Sequence, residues 1–381
     1  MSNTTPARDA LRVAVVGLEF GAEFVPIYRD HPHVDQVAIV DRRTDLAERV
    51  SDAFRIEKVF GSLDEALADP EIDAVHIVTG LADHADHVVA ALESGKHVAC
   101  TVPMALSFED IQRIVDARTR SGRNYMMMET AVYTREYFYA QEMMRAGAFG
   151  DIAYARGTHF QDMTSWPGYW LGLPPMFYAT HAVSPILRLL DARATSVRAL
   201  GGAPLRPENS GPYGNPFSVE SALVELEGRS TVVELTRSLY QLARPYTESF
   251  SIYGDKQGFE WPQLEDSGEL PLVFRMGEPL SGRGRPVEAE RVVVPDRSDL
   301  LPEPIRPYTR RIADADHRSF IQGGGHGGSH PHLVNEFVTS IREGRPPSVD
   351  DRRAANWTAT GIAAHQSALA SGEAVEIPRF G

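Results

Sequence analysis

At 381 residues, 43% hydrophobic and 24% charged, the chain has an ordinary globular composition and a length that predicts two domains. Its formal charge of −14 argues against nucleic acid and anionic membrane surfaces as partners, since both need a basic face. A single cysteine, Cys100, leaves no internal disulfide and no multi-cysteine metal site within one chain.

The first residues, MSNTTPARDA, lack the apolar core of a signal peptide, and no apolar run reaches the ~20 residues that span a bilayer. The expected location is cytoplasmic. From residue 11 to about 128, short apolar runs alternate with helical patterns. Strands are predicted at RVAVVG (12–17), VDQVAIVD (34–41), IDAVHIVTG (72–80), KHVACTV (96–102) and NYMMME (124–129). These runs are continuously apolar, as strands covered on both faces of a parallel sheet require. Between them, DHADHVVAALESG stripes Ala85, Val88, Val89 and Leu92 and ends at Gly95, a C-cap position. SFEDIQRIVDART opens with Ser107 and Asp110 at capping-box spacing. The alternation predicts a doubly wound Rossmann domain over 1–128.

Residues 129–381 follow a different pattern. A helix near 134–146 precedes alternating or β-branched segments: DIAYARGTHF, TSVRAL, FSVESALVELE, STVVELTRSLY, ESFSIYG and RVVVP. They predict an α+β domain with an open, largely antiparallel sheet. Pro- and Gly-rich residues 262–312 read as a long loop or peripheral hairpin, followed by helices from His332 and over about 350–371.

The first strand runs into GLEFGAEF. A dinucleotide turn uses G-x-G-x-x-G, so that backbone can approach the pyrophosphate. Here the three positions read Gly17, Glu19 and Ala22, with Phe20 and Gly21 just before the last. An ordinary strand-to-helix turn competes with that reading. Asp41, closing the second strand, suits the ribose hydroxyls of NAD, while Arg42 and Arg43 would suit a 2′-phosphate; a plain strand-end turn residue is the alternative.

The run IDAVHIVTGLADHADHVVAALESGKHVACTVPMA resembles the Gfo/Idh/MocA family of sugar oxidoreductases, in Thr79, His84 and Gly95-Lys96-His97-Val98. At that family's Glu-Lys-Pro motif the chain reads Thr101-Val102-Pro103. The family lysine assists the proton transfer that accompanies hydride transfer, which Val102 cannot do. MMMETAVY, MFYATHAVSP, GHGGSH and RPYTESFSIYGDKQGFEW look like motifs of the family's NAD-dependent glycosidase branch, typified by α-N-acetylgalactosaminidases.

The resemblance implies a glycosidase that oxidises a sugar at C3, eliminates the aglycone, adds water and reduces the ketone again. NAD would then be tightly bound and recycled in each turnover. It makes His181 the partner of the oxidised hydroxyl, Tyr178 a base or acid at C2, and Glu129 an acid/base or sugar ligand. Their bland alternatives are a helix N-terminal histidine, a packing tyrosine and a turn glutamate. Gly17, Phe20, Gly21, Asp41, Arg42, Thr79, His84 and Pro103 would hold the cofactor. For the sugar, Tyr133, His159, Asp162, Trp166 and Trp170 supply rings and polar groups, although the tryptophans serve equally as core. A simple sugar dehydrogenase or 3-ketoreductase, and a non-catalytic ligand sensor, remain alternatives.

In GGGHGGSHPH (323–332), His330 and His332 lie two apart, on different faces of a helix, so no metal is expected. The glycine loop is expected to bring His326 and His330 to the sugar, and the exchange of the relatives' Asp for His330 suggests an anionic sugar such as sulfoquinovose. The partner is a small sugar glycoside, with no nucleic acid or membrane. The family implies a homo-oligomer, dimer or tetramer.

Overall fold

A computed structural model describes residues 10–262, 264, 269–310 and 325–381. Two compact units divide the chain. The first contains residues up to Met104, Gln112–Met128 and Asp296–Arg352; the second contains Ala105–Ile111, Glu129–Pro295 and Arg353–Gly381. Thus 296–352 cluster with the first unit, whereas the sequence predicts a single boundary after 128.

In the first unit, β1 (Leu11–Val16), β2 (Val34–Val40), β3 (Lys58–Phe60), β4 (Ala74–Ile77), β5 (His97–Cys100) and β6 (Tyr125–Met127) form one sheet in the order β3-β2-β1-β4-β5-β6. All of its pairings are parallel. Val13, Ala14 and Val15 of β1, and every residue of β4, have essentially no exposure, as the continuous apolar runs require. Only β3, three residues long and with none of them buried, escapes the sequence pattern. Lys96 of the GKHV motif is structural: its Nζ donates to the Asp69 and Ile72 carbonyls, both at 2.8 Å.

The second unit holds a nine-stranded sheet: β7 (Ile152–Phe160), β8 (Ala194–Pro204), β9 (Phe217–Leu226), β10 (Arg229–Ser238), β11 (Thr247–Gly254), β12 (Gln257–Glu260), β13 (Leu272–Met276), β14 (Val287–Arg291) and β15 (Val375–Glu376). Its order is β14-β13-β12-β11-β7-β10-β9-β8-β15. Every pairing is antiparallel except β7 with β10. The Pro- and Gly-rich segment contributes the peripheral hairpin β13–β14; its residues 263, 265–268 and 311–312 lie outside the described ones.

The helix Thr180–Leu189 lies on the central strands, and Gly157 explains how closely. A Cβ there would sit 2.0 Å from the Ala182 carbonyl oxygen, so helix and β7 touch only because the side chain is absent. Among the described residues, no helix is long and apolar enough to cross a membrane.

Candidate active site

In the first unit, Gly17 follows β1 with φ 87°, and a Cβ would lie 2.4 Å from the Val78 carbonyl oxygen. Only glycine fits this cradle. A Cβ on Gly21 would stand 3.1 Å from Val15, so it too allows close packing against the strand. Asp41 accepts the Leu18 amide on Oδ2 and the Arg43 amide on Oδ1, both at 2.9 Å. Its carboxylate is therefore fixed at the end of β2, the place where a dinucleotide fold needs an acid for the ribose. The glycine cradle and the anchored acid fit NAD. Neighbouring Arg42 is exposed.

His84 ties two loops together. Its Nδ1 faces the Pro103 carbonyl oxygen at 2.8 Å and its Nε2 that of Thr79 at 3.2 Å, while burial lowers its pKa. Thr79 Oγ1 also contacts His87 Nδ1 at 3.0 Å. The Gly-His loop packs within this same unit. His326 lies edge-on to Phe20, and buried His330 places Nδ1 3.1 Å from Glu23 Oε2, with its ring 4.6 Å from that of Phe24. Residues 323 and 324 of the loop lie outside the described ones.

The second unit holds a buried acid–base cluster built by register. His159 on β7 stands opposite Arg237 on β10 and Glu248 on β11, so three polar side chains lie abreast on one face of the sheet. The helix seated there brings His181. Its Nδ1 is 2.6 Å from Glu129 Oε1, and its Nε2 is 3.6 Å from Glu248 Oε1. Glu129 Oε1 also accepts the Ala131 amide at 3.0 Å, and its buried Oε2 has no partner among the described residues. Glu248 accepts the Tyr246 hydroxyl. The two ring nitrogens thus face different carboxylates, Glu129 at Nδ1 and Glu248 at Nε2.

Tyr178 stands edge-on to His181, ring centroids 5.5 Å apart, and to Trp170, 5.0 Å apart. Burial raises its pKa, as do Glu248 and Glu129, while Arg237 opposes them. Arg237 is fully buried below the Tyr178 ring at 5.4 Å. It donates to the carbonyl oxygens of Tyr178, His159 and Ser238 and to Gln161 Oε1, all uncharged. Burial lowers its pKa to about 10.

His159, His181, Tyr178 and Glu129 are thus brought together, with Trp170 alongside. Trp166 meets Trp170 at 5.9 Å but is 45% exposed. Asp162 is exposed, its Oδ1 capping the amide of Thr164 at 2.9 Å. Tyr133 packs edge-on to Phe138. Glu248 and Arg237 escape sequence reasoning; the one available signal for Glu248 is its place two residues beyond Tyr246 in the RPYTES segment. His159, His181 and Glu248 also offer ligand atoms within 4.8 Å of one another, a set that can hold a metal ion.

The fold and these two constellations define an NAD-binding Rossmann protein with a buried histidine–carboxylate centre in its second unit. A model of the Gfo/Idh/MocA family, an oxidoreductase family with an NAD-binding Rossmann fold, matches residues 11–129. A glycosyl hydrolase family 109 protein of Bacteroides thetaiotaomicron is 24% identical, across 99% of this chain and 86% of that protein. One from Porphyromonas gingivalis is 26% identical with the same coverage. Among solved structures, a levoglucosan dehydrogenase in complex with NADH and L-sorbose matches with a TM-score of 0.78 at 20% identity, over 98% of this chain and 100% of that one. The apo scyllo-inositol dehydrogenase of Lactobacillus casei gives 0.70 at 19% identity, over 97% and 98%. Such identities establish the shared fold. Residues 11–129 are thus similar to the NAD-binding Rossmann domain of the Gfo/Idh/MocA family, and the cradle and acid described above fit NAD as the cofactor.

Proposed function

We propose that the protein is an NAD-dependent glycosidase that cleaves a sugar glycoside by oxidation, elimination, hydration and re-reduction. The observation that carries this reading is the Glu129–His181 pair at 2.6 Å with the Tyr178 ring edge-on to His181. It offers two separate proton-handling groups, as an oxidation followed by an elimination requires. The family-109 relatives support the same reading. Val102, only 6% exposed, stands where the dehydrogenases' lysine would be and handles no proton.

Gly17, Gly21 and Asp41 would hold NAD, which would supply hydride acceptance and return at C3 of the sugar. His181 Nε2 takes the proton of the oxidised hydroxyl, and Glu129 and Glu248 on either side stabilise the imidazolium. The C3 ketone acidifies the C2 proton, which Tyr178 takes as its phenolate, a form that Arg237 below the ring favours, as the C1–oxygen bond breaks and the aglycone leaves. Water adds to the enone at C1 as C2 is reprotonated. Return of the proton from His181 to O3 completes the part of the cycle that the chain's own residues carry.

The sugar in this reading is anionic, sulfoquinovose being one example, because the buried Arg237 guanidinium donates all its hydrogen bonds to neutral oxygens, with Glu248 as a carboxylate acting on its charge. A homo-oligomer, dimer or tetramer, and a cytoplasmic location complete the proposal. Purified protein, without added cofactor, is incubated with aryl sulfoquinovosides and aryl N-acetylgalactosaminides. Aglycone release with deuterium incorporation at C2 is expected, faster on the sulfonate. Net NADH accumulation from a free sugar would replace the reading with a dehydrogenase. Sugar binding with neither signal would leave a ligand sensor.

A further inference from the structure

The turn after β1 carries a carboxylate where dinucleotide turns usually carry their second glycine. The Glu19 side chain does not simply extend into solvent. Its Oε1 accepts from the Arg43 guanidinium at 2.7 Å, and the same guanidinium has Nε 3.5 Å from Asp41 Oδ1. Asp41 is itself held by the Leu18 and Arg43 amides, so the bridge joins the turn after β1 to the end of β2 through fixed atoms.

Its consequence is electrostatic. At the end of β2 this class of fold distinguishes NAD from NADP: an acid receives the ribose hydroxyls, and a nearby arginine accepts a 2′-phosphate. The chain has both kinds of residue there, Asp41 beside Arg42 and Arg43. Arg43 is engaged by two carboxylates, and an arginine so held cannot turn its fork onto a phosphate without leaving them. Counting Glu19, Asp41, Arg42 and Arg43 together, the charges cancel. Without Glu19 the same group carries one net positive charge and a released guanidinium.

We propose that Glu19 is the residue that makes this site refuse NADP, and that it acts by holding Arg43. The inference concerns cofactor choice only, and it stands or falls independently of the sugar chemistry above because its test is binding.

Apoprotein prepared by removing any retained dinucleotide is titrated calorimetrically with NAD and with NADP. The panel is wild type, Glu19→Gln, Arg43→Ala and the double variant. Wild type is expected to prefer NAD. Glu19→Gln is expected to tighten NADP about tenfold and to leave NAD nearly unchanged, since one charge is removed beside the 2′ position. That gain should shrink in high salt, because both side chains are about half exposed. It should vanish in the double variant, where no arginine is left to release. A wild-type preference for NADP, an unchanged NADP affinity in Glu19→Gln, or a gain that survives Arg43→Ala would each overturn the proposal. Glu19 and Arg43 are exposed surface residues, so the variants are expected to fold, and an unchanged melting temperature verifies it.

Discussion

Gly157→Ala is a sharp test of how the catalytic histidine is held, because the perturbation is one methyl group placed away from the chemistry. The new Cβ would lie 2.0 Å from the Ala182 carbonyl oxygen, whereas real Cβ contacts essentially never fall below 3.0 Å. In a close-packed interior, strand and helix must therefore part by about 1 Å. Ala182 follows His181, so the movement acts on the 2.6 Å contact between His181 and Glu129. Overpacking of this kind costs ~1–3 kcal/mol, and a misplacement of ~1 Å in a catalytic group lowers turnover by ~10²-fold. The assay pairs initial rates of aglycone release with a thermal melt and a calorimetric NAD titration. Turnover should fall by about that factor and the melting temperature by a few degrees, with NAD affinity retained. Gly202→Ala is the control, since its Cβ would meet Val219 at an ordinary 3.6 Å. A folded Gly157→Ala protein with wild-type turnover would refute the view that contact with β7 sets the position of His181.

Tyr178→Phe removes only the hydroxyl, so sugar oxidation should persist while deuterium exchange at C2 and aglycone release fall by ~10²–10⁴-fold; parallel loss of both steps would assign the tyrosine to binding. His76 has essentially no exposure, and burial lowers its pKa from 6.5 to about 3. A depressed histidine stabilises the fold above its unfolded pKa and withdraws that stability as pH falls toward the folded one. At pH 5 the expected loss from this residue is about 2 kcal/mol, so melts from pH 7.5 to 4.5 should fall steeply in wild type and less in His76→Phe; equal slopes would exclude His76 as a cause. Dialysis against a chelator is expected to leave turnover unchanged, because Glu248 already accepts the Tyr246 hydroxyl and Glu129 orients His181. Activity that is lost and then restored by one divalent ion would instead make His159, His181 and Glu248 a metal centre.

What the chain alone determined is whatever its chemistry writes locally. Continuous apolar runs announce the parallel sheet because a strand covered on both faces has no polar side to show. Gly17 and Asp41 are readable because a tight turn and a strand end are made by adjacent residues. Tyr178 and His181 are readable because three residues at a helix entrance remain neighbours in any fold. The tertiary structure decided the rest. Glu248 and Arg237 flank His159 only through the register of β10, β7 and β11, and β7 pairs with β10 in parallel, a relation that no local pattern encodes. His330, expected at the sugar, finds Glu23 about three hundred residues away in sequence and is buried against Phe24, and the chain from 296 to 352 clusters with the Rossmann unit. Periodicity tells a side chain which face to occupy; only the assembled sheet and the helix resting on Gly157 tell it which neighbour it will meet.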